Sequence, residues 1–150
     1  MLNTKCNEQY WSVDFILGAL VPNGYFRTAF VMDYDHRTVL AIEIYENISE
    51  SKLHEVLTRL VATSGCPMKL ILDHDPKLIT RELTHWASVN GVALAYSVPM
   101  KSAAKGRLER VIWNYQKQVL DSHQFQTLND VREMTDIWLK DYKRRQLISP

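Results

Sequence analysis

The sequence predicts an α/β fold in which helices flank a mixed five-stranded sheet. The first part of the chain holds three runs rich in aromatic and β-branched residues, separated by the turn signals PNG and DHR, a pattern typical of an antiparallel meander. From Ser49 onward the apolar spacing becomes that of helices, and these alternate with short apolar strands. Because strands that alternate with helices form parallel crossover units, the later strands are expected to join the meander in one sheet.

Each expected element has a local signal. Ser49 is a candidate N-cap for the first helix, and Gly65 and Pro67 are expected to end it.

The order is three strands, helix, strand, helix, strand and two helices, which is the layout of the ribonuclease H-like fold. The expected strands span 10–17, 25–34, 38–46, 68–73 and 92–97, and the helices about 49–64, 76–89, 103–121 and 127–143. We expect a flexible lead-in over 1–9, a core over 10–145 and a tail over 146–150.

Length and composition indicate one globular domain. The chain has 150 residues, of which 46% are hydrophobic, enough for a core of ordinary size. No apolar run reaches the ~20 residues that span a bilayer, and the start MLNTKCNEQY has no apolar signal region. Cys6 and Cys66 fit no zinc spacing. We therefore expect a cytoplasmic protein with reduced thiols and no membrane partner.

The charge is distributed unevenly along the chain. Residues 1–100 hold 8 Lys/Arg and 11 Asp/Glu, whereas residues 101–150 hold 10 and 6. A basic C-terminal third favours a polyanionic partner, although a solvated helical surface explains the same charges.

Two aspartates follow the apolar run LIL at 70–72. Asp75 directly precedes Pro76, and because Pro favours the first helical position, Asp75 is expected to cap a helix. Asp73 has no such explanation. It ends a strand at its carboxyl end, where ligand sites of sheets with parallel crossovers gather.

Two further carboxylates match Asp73. Asp14 interrupts the apolar run WSVDFIL, on the opposite strand face from Trp11, Val13 and Phe15. Two carboxylates on adjacent core strands are typical ligands of hard cations. Glu109 lies at the edge of the apolar stripe of the helix over 103–121, where it could lean toward the strand ends; an exposed helical glutamate is the alternative.

The chain resembles the catalytic cores of retroviral integrases and bacterial insertion-sequence transposases from about Tyr10 to Tyr142. Thirty-five residues separate Asp73 from Glu109, as in the D,D(35)E pattern of this family. WSVDF is similar to the W-x-x-D-F opening of the family, SGCPMKLILDHDP to G-x-P-x-x-I-x-x-D-N-G-P, and KGRLER to N-G-x-x-E-R. The departures are DHDP for D-N-G-P, PMKSAAKG for P-G-K-P-x-x-N-G, and the absence of the closing Arg-Pro-His.

The resemblance implies DNA transposition or integration by metal-dependent phosphodiester hydrolysis and strand transfer. Asp14, Asp73 and Glu109 would be both catalytic and metal-binding residues for Mg²⁺ or Mn²⁺, with two ions when DNA is bound. By the same resemblance Asp14 would bridge the two ions. A bacterial, nucleoid-associated protein that acts on double-stranded DNA as a homodimer or higher assembly is expected. The candidate DNA-binding residues are Lys101, Lys105, Arg107, Arg110 and Lys117.

Other polar and aromatic residues have structural explanations. His74 adjoins Asp73 but is expected to lie at the edge of the site, and Asp33, Asp35 and His36 are expected to form a turn. Trp113 and Trp138 are expected in the core or an interface rather than as base-stacking platforms. Two other functions stay open: a plain nuclease of the same fold, and a catalytically decayed core that serves as a dimerisation or DNA-binding module.

Overall fold

A computed structural model describes residues 7–34, 36, 38–46, 50–72, 80–95 and 102–148; for 7–8, 50–52, 102–105 and 147–148 it describes the backbone alone. The described residues form five strands and four α-helices, the last two joined through a π-helical turn. In chain order the elements are β1 (Asn7–Ala19), β2 (Tyr25–Asp33), β3 (Thr38–Tyr45), α1 (Glu50–Ser64), β4 (Pro67–Leu72), α2 (Arg81–Asn90), β5 (Ala93–Ala95), α3 (Ser102–Tyr115), the π-helical turn (Gln116–Leu120) and α4 (Leu128–Ile148).

The five strands form one mixed sheet in the order β3-β2-β1-β4-β5. The pairs β1–β2 and β2–β3 are antiparallel, whereas β1–β4 and β4–β5 are parallel. The meander followed by crossover strands is therefore confirmed. This order makes β1 the central strand, with a parallel neighbour on one side and an antiparallel neighbour on the other.

Strand β1 is longer than the predicted 10–17 because it has partners along most of its length. Its pairing with β2 continues to Ala19 opposite Tyr25, and its pairing with β4 begins at Asn7 opposite Pro67. Near its end Gly18 faces Phe26, and a Cβ at Gly18 would overlap the Phe26 ring. The glycine lets the two strands stay paired at this point.

Side-chain alternation along β1 separates two hydrophobic cores. Trp11 and Val13 lie in the core that α1 and α2 cover, together with Leu57 and Trp86. Ile16 lies in the core on the other face, which α3 and α4 cover. The sheet is thus buried on both faces, as the apolar run of β4 predicts.

Helix α2 begins later than predicted. The sequence predicted a helix from 76 with Asp75 as N-cap, but the described helix begins at Arg81. Thr80 is its N-cap: this residue has an extended backbone, and its hydroxyl accepts a 3.3 Å hydrogen bond from the Leu83 N–H. A continuous helix over 76–89 is therefore wrong. Asp75 itself lies outside the described residues, as does Ser49.

The third predicted helix, 103–121, is regular only to Tyr115. The π-helical turn follows, and the Asp121 N–H donates to the Gln116 carbonyl at 2.8 Å across five residues. Tyr115 and Val119 are both buried against α4 and the sheet. The π-helical turn therefore keeps Tyr115, which precedes it, and Val119, which lies within it, on the buried side.

The turn between β2 and β3 agrees with its prediction for the residues that are described. The buried carboxylate of Asp33 accepts a 3.1 Å hydrogen bond from the His36 N–H and lies 3.0 Å from His36 Nδ1. Asp33 and His36 are thus accounted for as turn residues, and Asp35 lies outside the described residues. Among the described helices, none has the length and apolar character needed to cross a membrane.

Candidate functional site

Asp14 lies in the middle of the central strand. Its side chain is half-buried, and it occupies the strand face of Ile16, opposite to that of Trp11 and Val13. Its partner on β2 is Phe30, which is fully buried under α3 and α4. The predicted placement on the face away from Trp11 is confirmed. A carboxylate there needs a polar partner or a cation, because burial of an unpaired charge is costly.

Strand β4 brings its carboxyl end beside Asp14. Trp11 pairs with Leu70, Ser12 with Ile71 and Val13 with Leu72. Leu72 is the last described residue of β4, and Asp73 is the next residue of the chain. Asp73, with His74 and Asp75, lies outside the described residues. What is described is the register that leads to it.

Glu109 lies on α3, the helix that covers the Asp14 face of the sheet. Its neighbour Leu108 is buried in the same core as Ile16, whereas the Glu109 side chain is exposed. One and a half turns further along, the Tyr115 ring packs edge-on against Phe30, with the ring centroids 5.3 Å apart. This contact fixes α3 over the strand residue that pairs with Asp14.

A cluster of aromatic and polar contacts holds α3 and α4 together. Tyr115 and Trp138 pack edge to face at 5.2 Å between centroids, and Tyr142 stacks on Trp138 at 5.1 Å. The Tyr115 hydroxyl lies 2.7 Å from the hydroxyl of Thr135, and burial raises the pKa of the Tyr115 phenol. These contacts make the support of Glu109 a packed element rather than a loop, which favours precise placement.

Within the described part of the chain, no three His, Cys, Asp or Glu residues lie close enough together to hold a metal ion. The predicted set contains Asp73, which that part does not include. Asp14 lies on the face of the central strand that α3 covers, and Glu109 lies on α3. Both also take part in further polar interactions.

Four of the five candidate DNA-binding residues, Lys105, Arg107, Arg110 and Lys117, lie along α3 and the π-helical turn. Arg107 and Arg110 are exposed. Lys117 is exposed as well; its ammonium lies 3.2 Å from the Asp121 carboxylate and 5.8 Å from the centre of the Trp113 ring. Lys101 and the side chain of Lys105 lie outside what the structure describes. In a regular helix Arg110 projects away from the buried stripe, so the cations cannot all share the Glu109 edge.

Two tryptophans with the same sequence-based prediction differ in their exposure to solvent. Trp138 is 7% exposed and lies in the core, as predicted. Trp113 is 57% exposed, one helical turn after Glu109. The helical spacing carried a signal for this exposure, because Trp113 lies four residues after Glu109 and outside the stripe formed by Leu108, Val111 and Ile112.

The family model described as the integrase core domain matches residues 90–146. This range includes Glu109, all of α3 and α4 as far as Gln146. The 31.7 kDa protein of insertion element IS407 from Burkholderia multivorans is 26% identical over 139 residues, which cover 93% of this chain and 50% of that protein. The 39.2 kDa protein of insertion element IS476 from Xanthomonas euvesicatoria is 22% identical over 96% of this chain and 42% of its own. The chain thus spans about half the length of these relatives.

Solved structures share the fold. The integrase catalytic core of HTLV-2, solved with magnesium in a trimeric form, has a TM-score of 0.61 at 10% identity, over 89% of this chain and 85% of that one. The Mos1 transposase catalytic domain, solved with raltegravir and magnesium, also has a TM-score of 0.61, at 13% identity, over 89% and 71%. The ribonuclease H-like fold predicted from the sequence is therefore confirmed.

Together these comparisons confirm the resemblance on which the sequence analysis relied. Over residues 90–146 the chain matches the integrase core domain, and the relatives it matches are proteins of bacterial insertion elements.

Proposed function

We propose that this chain is the catalytic core of a DNA transposase that hydrolyses and transfers phosphodiester bonds with Asp14, Asp73 and Glu109. The observation that carries the proposal is the pairing of Val13 with Leu72. The next residue of each strand is an aspartate. Parallel strands in register lie ~4.8 Å apart, so a continued register would set these two carboxylates beside each other.

Side-chain alternation supports the same arrangement. Leu70 and Leu72 lie in the core under α1 and α2, so continued alternation would turn Asp73 to the other face, where Asp14 lies. That face is covered by α3, which carries Glu109. Three carboxylates would then converge from the central strand, its parallel neighbour and the helix above them.

The chemistry of these side chains fits Mg²⁺ or Mn²⁺. Both are hard cations that prefer carboxylate oxygens and keep open positions for water and phosphate oxygens. Two bound ions would supply activation of the attacking oxygen and stabilisation of the leaving oxygen. By the family resemblance, Asp14 would hold both ions, and Asp73 and Glu109 would each hold one. The choice of cation is supported by the shared fold of the HTLV-2 integrase core and the Mos1 transposase domain, which were both solved with magnesium.

The proposed reaction has two transfers. Water attacks a phosphorus at the element end, a new P–O bond forms, and the broken bond releases a 3′-hydroxyl that takes up a proton. This 3′-hydroxyl then attacks a phosphodiester of the target, joining the two strands and releasing a second 3′-hydroxyl. Asp14, Asp73 and Glu109 would hold the cations that orient the scissile phosphate, because carboxylates alone repel it. Packing of α3 on the sheet would keep Glu109 in place.

The DNA duplex is assigned to the basic surface of α3 and the segment before it. Lys101, Lys105, Arg107, Arg110 and Lys117 would contact phosphates, which position a duplex without reading its sequence. Lys117 already has a carboxylate neighbour in Asp121. An exposed pair of this kind is worth roughly 0–1 kcal/mol, so a phosphate can displace Asp121.

We also propose that the chain forms a homodimer or higher assembly in the bacterial cytoplasm. This assembly would be associated with the nucleoid. The HTLV-2 integrase core has been solved in dimeric and trimeric forms. Joining two element ends to one target requires more than one core in the same complex. Sedimentation of the chain as a monomer at micromolar concentration would count against this part.

The test is a strand-joining assay that does not need the end sequence in advance. Labelled duplexes with randomised ends are incubated with supercoiled plasmid and Mn²⁺, and joined label is measured. Asp73→Asn and Glu109→Gln are each expected to reduce joining by more than a hundredfold, because each removes a metal ligand. The matched controls are Asp136→Asn and Glu133→Gln, exposed carboxylates on α4, which should leave it unchanged.

The outcomes distinguish the competing functions. Unchanged joining in both variants would refute the triad. Cleavage of an RNA–DNA hybrid without any strand joining would identify a plain nuclease of the same fold. Dimerisation without Mn²⁺ binding or DNA cleavage would identify a decayed core, which the altered DHDP and PMKS stretches motivate.

A further inference from the structure

Trp113 is the one tryptophan of the chain that lies open to solvent. The chain has four tryptophans. Trp11, Trp86 and Trp138 are 0%, 6% and 7% exposed, whereas Trp113 is 57% exposed. Aromatic side chains bury a large apolar area when they pack. An exposed tryptophan in the last turn of the regular helix α3 therefore leaves this favourable contact to be made with a partner.

The helix directs Trp113 toward the proposed catalytic glutamate. Glu109 and Trp113 are four residues apart within the regular part of α3, so they lie on one face, separated by about 6 Å along the axis. Long side chains on a helix lean toward its N-terminus and cover the preceding turn. The Trp113 ring thus borders the surface beside Glu109, and both side chains are exposed.

The surroundings of Trp113 are basic. Residues 101–120 hold five Lys or Arg and a single acidic residue, Glu109. The Lys117 ammonium lies 5.8 Å from the centre of the Trp113 ring, at the outer limit of a cation–π contact. Protein–protein interfaces are depleted in lysine, whereas an aromatic platform among cations is typical of surfaces that bind single-stranded nucleic acid.

We propose that Trp113 is a base-stacking platform that holds an unpaired base at the DNA end while the adjacent phosphate lies at Glu109. This proposal rests on the function proposed above and adds to it the contact that fixes the end of the strand. Every base has an aromatic face, so the contact accepts any sequence. Lys117 would move from Asp121 to the phosphate that follows the stacked base. Trp113 is thus a positioning residue for the 3′ end.

The experiment uses the whole 150-residue chain and a duplex with three unpaired nucleotides at one end, the terminal base being 2-aminopurine. Stacking on an aromatic ring quenches 2-aminopurine fluorescence. Wild-type protein and Trp113→Phe are expected to quench it on binding. Trp113→Ala is expected to lose the quenching and to bind the duplex about tenfold more weakly, the effect of one lost stacked base. Val89→Ala is the matched control, because Val89 is 69% exposed on α2.

Each other outcome overturns the proposal in a distinguishable way. Equal quenching by wild type and Trp113→Ala, with strand joining intact, would remove the stacking role and leave the proposed function standing. No binding of the duplex by wild type would remove both. If Trp113→Ala instead turns a sedimenting dimer into a monomer and quenching is unchanged, Trp113 belongs to a protein interface.

Discussion

At the level of single residues, Tyr115 packs in the core and holds the helix that carries Glu109. The Tyr115 hydroxyl lies 2.7 Å from the Thr135 hydroxyl, and the Tyr115 ring carries the contact with Phe30 that holds α3 over the sheet. Burial raises the pKa of this phenol above its ordinary value of 10.0. The folded state thus favours the neutral phenol, so this contribution to stability is complete below pH 10 and is lost as the pH rises above it.

We predict that Tyr115→Phe lowers the free energy of unfolding at pH 7 by about 1–3 kcal/mol, because the buried Thr135 hydroxyl loses its partner. The same variant should lose less stability than wild type between pH 9 and pH 11. Urea denaturation at several pH values measures both effects. Tyr25→Phe is the control, since Tyr25 is 67% exposed. An equal alkaline loss in Tyr115→Phe and wild type would contradict the assignment.

At the level of secondary structure elements, two glycines in β1 and α3 should respond in opposite directions to the same substitution. Gly18 faces the buried Phe26 ring across the β1–β2 pair, and a Cβ there would overlap the ring. Gly106 is exposed on α3, and a Cβ there would meet nothing within 4 Å.

We predict that Gly18→Ala lowers the free energy of unfolding by about 1–3 kcal/mol, the usual cost of overpacking a core. Gly106→Ala should raise it by about 0.5–1 kcal/mol, because alanine costs less backbone entropy in a helix. Each variant serves as the control for the other in one series of denaturation curves. A stable Gly18→Ala protein would mean that Phe26 can leave its place without cost.

Most of the secondary structure could be predicted from the sequence, but the start of α2 and the π-helical turn could not. Period-2 and period-3.6 patterns are local, so the strands, the two closing helices and the face of Asp14 could be predicted. The start of α2 could not, because Asp75–Pro76 and Thr80 are both good helix-start signals and the choice depends on tertiary packing. The π-helical turn after Tyr115 leaves no local signature, since Tyr115 and Val119 keep a helical spacing.

The helical spacing favours an exposed Trp113, because this residue lies four residues after Glu109 and outside the apolar stripe of α3. How much of its side chain stays exposed depends on what α4 covers. Helix α4 covers Tyr115 and Val119 through Trp138 and leaves Trp113 at 57% exposure.

At the level of the whole molecule, the topology gathers the proposed chemistry on one face of the sheet. The order β3-β2-β1-β4-β5 puts Asp14 on the central strand and the carboxyl end of β4 beside it. The crossover through α2 and β5 then returns the chain as α3, and its contact with Phe30 sets α3 across the same face. The basic last third of the chain begins there, so Glu109, one of the three proposed metal ligands, lies on the same helix as the candidate DNA-binding residues Arg107 and Arg110.

Mn²⁺ soaks of crystals test most directly whether Asp14 and Asp73 hold a divalent cation. Anomalous scattering locates Mn²⁺ without reference to activity. We predict a peak in contact with both carboxylates in wild-type crystals, absent from Asp14→Asn crystals of the same form and present in Asp136→Asn. If a wild-type structure has no Mn²⁺ at Asp14 at saturating concentration, or if the peak survives in Asp14→Asn, then Asp14 does not hold the cation.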